Sequence, residues 1–157
     1  IALLSDTGMR LSEALGIVWS DVNLYHEYPH ISLKPHPWRS LKTSGSKRLI
    51  PLVGAAHEAI IIMHRQRVSQ FLFNSYTDEN SCNGNSASAA LNKWLKQYVP
   101  DAVVHSFRHS FRDRLRNAGV QSEIIDQLGG WSNKTVGQGY GIGYSLKIIY
   151  LCCSKLI

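Results

Sequence analysis

Three local patterns in the 157-residue chain carry side chains able to hold an anion, move a proton or attack as a nucleophile. The first is Thr7-Gly8-Met9-Arg10-Leu11-Ser12-Glu13-Ala14-Leu15, followed by Trp19-Ser20-Asp21. The second is His105-Ser106-Phe107-Arg108-His109. The third is Leu128-Gly129-Gly130-Trp131, with Tyr140 nine positions beyond the tryptophan. Arginine presents a planar fork of donors and keeps its charge at any physiological pH, which suits an oxyanion. Histidine exchanges protons near neutrality. A phenol is mostly protonated there and needs a base or cationic surroundings to attack. His105 and Arg108 are one helical turn apart, so both can face one side. Each group also has an ordinary reading. Arg10 can pair with Glu13 one turn away, His105 and Arg108 can be a solvated helix start, and Trp131 can be core.

Elements must bring these side chains together. Residues 1 to 6 read as the tail of a helix, and Thr7 as the cap of a short helix carrying Leu11, Leu15 and Val18. Between Pro29 and Leu52, Ile31 and Leu33 alternate with Ser32 and Lys34 at strand period. Further short runs lie at Trp38 to Lys42 and Lys47 to Leu52, with turn residues Thr43-Ser44-Gly45-Ser46 between them. The pattern predicts a small antiparallel sheet of about three strands. Helices are predicted from Gly54 to about Val68, from Ser86 to Val99 (Leu91, Trp94, Leu95 and Tyr98 on one stripe), and from His105 to Ala118, capped by Ser106. A further short helix points Val120, Ile124, Ile125 and Leu128 inward, and a glycine-rich stretch follows. The expected class is α+β, mainly helical, with a small three-stranded sheet on one edge.

Charge and composition narrow the choice. Seventeen Lys and Arg against eleven Asp and Glu leave a net +6, with a pI near 9.4. Such a surface fits a polyanion, nucleic acid first among them, and equally a solvated basic face. The apolar fraction of 44% and charged fraction of 18% are those of a globular chain. No apolar run approaches the ~20 residues of a membrane helix. Cys82, Cys152 and Cys153 form no CxxC, which argues against a disulfide framework or cysteine-zinc site and makes a reducing cytoplasm the expected setting. The aspartates are scattered, with no DxD or HExxH, so no metal and no cofactor is expected. Both ends look cut: Ile1-Ala2-Leu3-Leu4 reads as the interior of an apolar helix, and the apolar run Ile148 to Cys153 needs something to pack on. The expectation is one domain, residues 1–157, cut from a longer protein.

Taken in order, these pieces resemble the catalytic domain of the tyrosine recombinases, the phage integrase family, from about Ala2 to Tyr144. The correspondence consists of an Arg in a TGxRxxE context, a Lys on a hairpin, an HxxR, a His or Trp after an LG, and a Tyr nine residues later. It implies that Arg10, Lys42, His105, Arg108 and Trp131 form the active site and that Tyr140 is the nucleophile. Lys47 is the alternative to Lys42, and Tyr144 the alternative to Tyr140. Trp131 fills a position more often occupied by His, and Gly130 adds one residue to the usual LGH.

The implied reaction is metal-free phosphoryl transfer, in which the tyrosine forms a 3′-phosphotyrosine link to DNA and releases a 5′-hydroxyl. The arginines would hold the phosphate, whose charge grows in the transition state. His105 would take a proton or bond the phosphate, Lys42 would protonate the leaving oxygen, and Trp131 would donate its indole N–H. Lys34, Arg39, Lys47, Arg48, Lys93, Lys96 and Arg112 are expected to contact the DNA backbone. The resemblance further implies double-stranded DNA as partner, an N-terminal DNA-binding domain, a homotetramer on two sites and a nucleoid-associated protein. Two alternatives remain: a non-enzymatic helix-turn-helix module over residues 105 to 128, and a type IB topoisomerase-like enzyme. A decayed prophage copy is also compatible.

Overall fold

The computed structural model describes residues 1–131 and 143–157. Seven α-helices and three β-strands are present among them. Helix α1 (Ala2–Thr7) turns the apolar side chains of Leu3 and Leu4 inward, and Gly8 ends it in the left-handed conformation. Thr7 does not cap the next helix. Its hydroxyl instead donates back to the Leu3 carbonyl. The N-cap of α2 (Leu11–Leu15) is Arg10, and Glu13 reaches back to accept the Arg10 backbone N–H at 2.9 Å. A carboxylate one turn into a helix is the reciprocal half of a capping box.

The sheet has three antiparallel strands in the order β1 (Val22–Asn23), β2 (His30–Leu33), β3 (Arg48–Pro51). Ile31 pairs with Val22 on one side and Ile50 on the other. The strand expected at Trp38 to Lys42 is absent, and Val22–Asn23 supplies the third strand. Pro35 and Pro37 cannot donate to a ladder. The chain there closes on itself between His36 and Arg39, with backbone bonds of 3.0 Å in both directions. Trp38 is held by its indole N–H to the Gly16 carbonyl at 3.1 Å and by stacking on His36. The apolar content of that run is packing, not pleat. This excursion is moored at its base by the buried carboxylate of Asp21, 2.7 Å from His36 Nε2 and 3.1 Å from Lys34 Nζ.

Helices α3 (Gly54–Arg65), α4 (Gly84–Leu95), α5 (Ser106–Asn117), α6 (Ser122–Gly129) and α7 (Leu146–Ser154) complete the domain. His105 takes the N-cap position of α5, while the Ser106 hydroxyl accepts the Val103 N–H. On α4 the stripe is narrower than its periodicity predicts. Leu95 is buried and Leu91 half-buried, but Trp94 is exposed and packs on the exposed Tyr98, which lies beyond the helix end at Leu95.

Two apolar cores result. One joins α1, α2, the sheet and α3 through Leu3, Ile17, Ile31, Leu33, Ile50 and Ile60. The other joins α5, α6 and α7 through Phe111, Leu115, Ile125, Leu128 and Ile149. The apolar C-terminal run therefore packs on its own chain. Among the described residues, no helix is long and apolar enough to cross a membrane.

Candidate active site

The candidate residues lie along the seam between the two cores. Arg108, in the first turn of α5, is almost fully buried. Its Nη1 donates to the Gly8 carbonyl and its Nη2 to the Gly129 carbonyl, each at 2.5 Å. One guanidinium thus spans the loop after α1 and the last turn of α6. A guanidinium has five N–H donors in a fixed plane, so these two bonds fix its orientation without exhausting it. Burial, and then the charges of Arg10 and Arg48, pull Arg108 down to about 10, which still leaves it cationic at neutral pH.

Arg10 projects from the start of α2 into the same seam. Its Nη1 donates to Glu13 Oε1 at 2.6 Å and to Ser46 Oγ at 3.2 Å. The ordinary pairing with Glu13 is therefore made, but it does not stand alone. Glu13 is buried and also holds Arg48, whose Nη2 lies 3.0 Å from Oε2. Burial raises the Glu13 carboxyl, but Arg48 and Arg10 outweigh it and hold the group below its ordinary value.

Arg48 ties this pair to the rest of the seam. Its Nε donates to the Leu128 carbonyl at 2.8 Å and its Nη1 to the Ser46 carbonyl at 2.8 Å. The carboxylates within hydrogen-bond reach of Arg10, Arg48 and Arg112 are, among the described residues, Glu13 and Asp126. With Arg108 and Lys42 added, positive charge is in excess here.

His105 lines a cavity of about 140 Å³ together with Met9, Leu11, Ser88, Val104 and Arg108. Its imidazole is pushed below its ordinary value by partial burial, then by His109, Arg108, Arg10 and Lys42. The neutral ring, able to accept a proton, is thereby favoured. Lys42 is exposed, on the turn leading into Ser44–Ser46, near enough for His105 to feel its charge. Its alternative, Lys47, is exposed immediately before β3.

Trp131 lies beneath two guanidinium groups, with Arg108 Cζ 4.2 Å and Arg112 Cζ 4.8 Å from its ring centroid. Arg112 also donates to Asp126 Oδ1 at 2.9 Å. The glycine doublet before the tryptophan is sterically required. A Cβ at Gly129 would fall 1.8 Å from the indole, and Gly130 has φ +62 with Arg48 Nη1 2.8 Å from where its Cβ would be. Tyr140 lies outside the described residues. Tyr144, the alternative, has its phenol donating to Gln121 Oε1 at 3.3 Å.

Two of the expected DNA contacts do not fit their surroundings. Arg39 is buried, with Nη2 donating to the Gly16 carbonyl at 3.3 Å. Arg48 is buried in the network above. Both are internal braces rather than surface cations. Arg112 is half-buried against Trp131, whereas Lys34, Lys47, Lys93 and Lys96 are exposed. Glu13 is the residue whose full part was missed. The TGxRxxE spacing announced its bond to Arg10, but nothing local announced Arg48, 35 residues on. Among the described residues, no group of His, Cys, Asp or Glu is arranged to hold a metal ion.

The sequence model of the Phage integrase family matches residues 1–141 of the chain. The chain belongs to the phage integrase family. Two curated relatives are the transposase of transposon Tn916 from Enterococcus faecalis and the tyrosine recombinase XerD of Corynebacterium glutamicum. The first is 23% identical over 163 residues, covering 89% of this chain and 40% of the transposase. The second is 28% identical over 149 residues, covering 89% of this chain and 46% of XerD. This integrase-family chain thus spans less than half the length of these relatives. Its fold matches the Tn1549 transposon integrase in complex with circular intermediate DNA (TM-score 0.62, 21% identity, 84% of this chain and 49% of the other). It also matches the XerA recombinase (TM-score 0.62, 16% identity, 98% and 49%). The mainly helical fold with its three-stranded sheet is that of tyrosine recombinase catalytic domains.

Proposed function

We propose that this chain is the catalytic domain of a site-specific recombinase that cuts and rejoins duplex DNA through a tyrosine. The reading is supported by His105 and Arg108 lining one cavity, with Arg10 and Lys42, from two other stretches of chain, near enough for their charges to act on His105. The cleft suits a phosphodiester, whose transition state carries more negative charge than its ground state, and cations fixed in advance stabilise that difference. Arg108 and Arg10 hold the non-bridging oxygens. His105, kept neutral, accepts the phenol proton or bonds the phosphate. Lys42 protonates the departing 5′-oxygen, and Tyr140 attacks phosphorus to give a 3′-phosphotyrosine. The phosphoester exchange needs no water, so the strand can be resealed to a new 5′-hydroxyl. Tyr144 is the weaker candidate because its phenol and backbone are both engaged on α6.

Lys34 and Lys47, which border one shallow depression over β2 and β3, are proposed to contact the DNA backbone, with Lys93 on α4. The complete protein is proposed to carry an N-terminal DNA-binding domain, to assemble as a homotetramer on two sites and to act at the nucleoid. A helix-turn-helix reading of α5 and α6 is disfavoured because Arg108, Phe111 and Leu115 of α5 face inward.

The test is a nicked suicide duplex carrying the cognate site, which traps the covalent adduct on a denaturing gel. Wild type is expected to form the adduct and Tyr140→Phe to form none. A duplex bound by wild type without any adduct would overturn the reading. An adduct that survives in Tyr140→Phe and disappears in Tyr144→Phe would move the nucleophile. Relaxation of supercoiled plasmid without site preference would favour the topoisomerase alternative.

A further inference from the structure

After the segment that carries Tyr140, the chain is seated on a side-chain amide of α6. Gln127 Nε2 donates to the Tyr144 carbonyl at 2.8 Å, and Gln127 Oε1 accepts the Tyr144 N–H at 2.8 Å. A primary amide can do both at once because one planar group offers a donor and an acceptor side by side. The preceding residue is fitted to this bracket. Gly143 has φ +80, and a Cβ there would lie 2.6 Å from Gln127 Oε1. The Tyr144 phenol adds a second hold on the same helix region through Gln121. On the other side of residues 132–142, the neighbouring position of α6 does the equivalent work. The Asp126 carbonyl accepts the Trp131 N–H at 3.0 Å, and its carboxylate accepts from Arg112, whose guanidinium covers the indole. Two adjacent residues of α6 therefore hold the backbone before and after the segment.

We propose that Gln127 is a positioning residue for the tyrosine nucleophile. This rests on the reading of Tyr140 given above and extends it. Tyr144 lies four positions after Tyr140, a span of at most ~14 Å in any backbone conformation. Fixing the Tyr144 backbone on α6 thus bounds where the phenol can be presented. Gln127 touches no reacting atom and sets the frame in which attack occurs. A phosphoryl transfer that depends on in-line approach is sensitive to such a frame, since a misplacement of ~1 Å can cost ~10²-fold in rate.

The experiment compares wild type with Gln127→Glu, Gln127→Met and Gly143→Ala. Glutamate can still accept the Tyr144 N–H but cannot donate to its carbonyl. Methionine keeps the length and loses both bonds, and the alanine disturbs the bracket from its other side. Three readouts are taken: the single-turnover rate of adduct formation on the suicide duplex, duplex affinity by gel shift, and hydrogen exchange at the Tyr144 amide. The expected result is a rate lower by ~10- to 100-fold in all three variants, with duplex affinity retained in all three and melting temperature retained in the two Gln127 variants. Exchange at Tyr144 should be faster in Gln127→Met. Adduct formation at the wild-type rate in the glutamine variants would overturn the inference, as would a loss of rate that only tracks lost affinity or lost folding. If wild type forms no adduct at all, the Tyr140 reading falls and Gln127's role with it. If wild type reacts, Tyr140→Phe does not, and the Gln127 variants match wild type, only the positioning role is lost.

Discussion

The Arg108 guanidinium lies 4.2 Å from the centroid of the Trp131 ring while its two terminal nitrogens bond the carbonyls of Gly8 and Gly129. A cation held over an indole face gains roughly 0.5–2 kcal/mol, more as water is excluded. Trp131 therefore braces the arginine whatever else its N–H does. Trp131→Ala is expected to slow adduct formation strongly while leaving the chain folded. Trp131→His, which restores a ring and a donor, should recover much of the rate. Single-turnover cleavage by the two variants checks this, and equal loss in both would refute the bracing role.

The doublet Gly129-Gly130 predicts a stability effect independent of chemistry. Gly130→Ala forces a side chain into the left-handed region against Arg48, at a cost of ~1–2 kcal/mol. Gly129→Ala should cost more, because its Cβ would overlap the Trp131 ring. Urea unfolding of both variants measures the order. A Gly129→Ala protein as stable as wild type would contradict the close approach described here.

Glu13 links two arginines and predicts an acid limb. Its carboxyl is held below its ordinary value in the folded chain, so the folded state binds fewer protons than the unfolded one at mildly acid pH. The stability it contributes is fully present above the unfolded value of ~4.3 and is lost as pH falls from there through the folded value. Glu13→Gln removes one partner of a buried pair, which typically costs ~3–5 kcal/mol, and should flatten that limb. Melting temperatures of the two proteins from pH 7 to pH 3 test both statements.

His105 carries a prediction about rate. Because its proton affinity is depressed, the neutral ring persists to lower pH than in an ordinary histidine of pKa ~6.5. Cleavage should stay level as pH drops to that region and fall only below it. His105→Gln should be slower throughout and lack that fall. An unchanged pH profile in the variant would remove His105 from the proton pathway.

Lys42 and Lys47 are separable by the step they affect. Lys42→Ala is expected to lose ~10²–10⁴ in cleavage rate, the usual range for a general acid. Lys47→Ala should mainly weaken duplex binding and its salt dependence. Rates at saturating protein and affinities at two salt concentrations distinguish them. The reverse assignment would exchange their roles.

Much of this molecule is readable from residue spacing, and the exceptions have one cause. Helices α5 and α6 are announced by Phe111, Leu115, Ile124, Ile125 and Leu128, because a buried stripe repeats at helical period. Strand Val22–Asn23 has only two residues and so offers no alternation to read. Trp38 to Lys42 imitates a strand because the indole is half-buried, and its N–H finds its partner in the Gly16 carbonyl, 22 residues away. Arg39 and Arg48 were expected on the surface because charge ordinarily means solvent. Their partners, the Gly16 carbonyl 23 residues back and the Leu128 carbonyl 80 residues ahead, are visible only once the chain is folded. Arg10, His105 and Arg108 were legible for the opposite reason, since their motifs are local.

Arg48 joins β3, the buried carboxylate of α2 and the end of α6 in a single side chain. Neither apolar cluster can complete that junction alone. A partly folded chain with one cluster formed would have arginines but no ordered place for an anion, so the arrangement of these cations depends on the two clusters being docked.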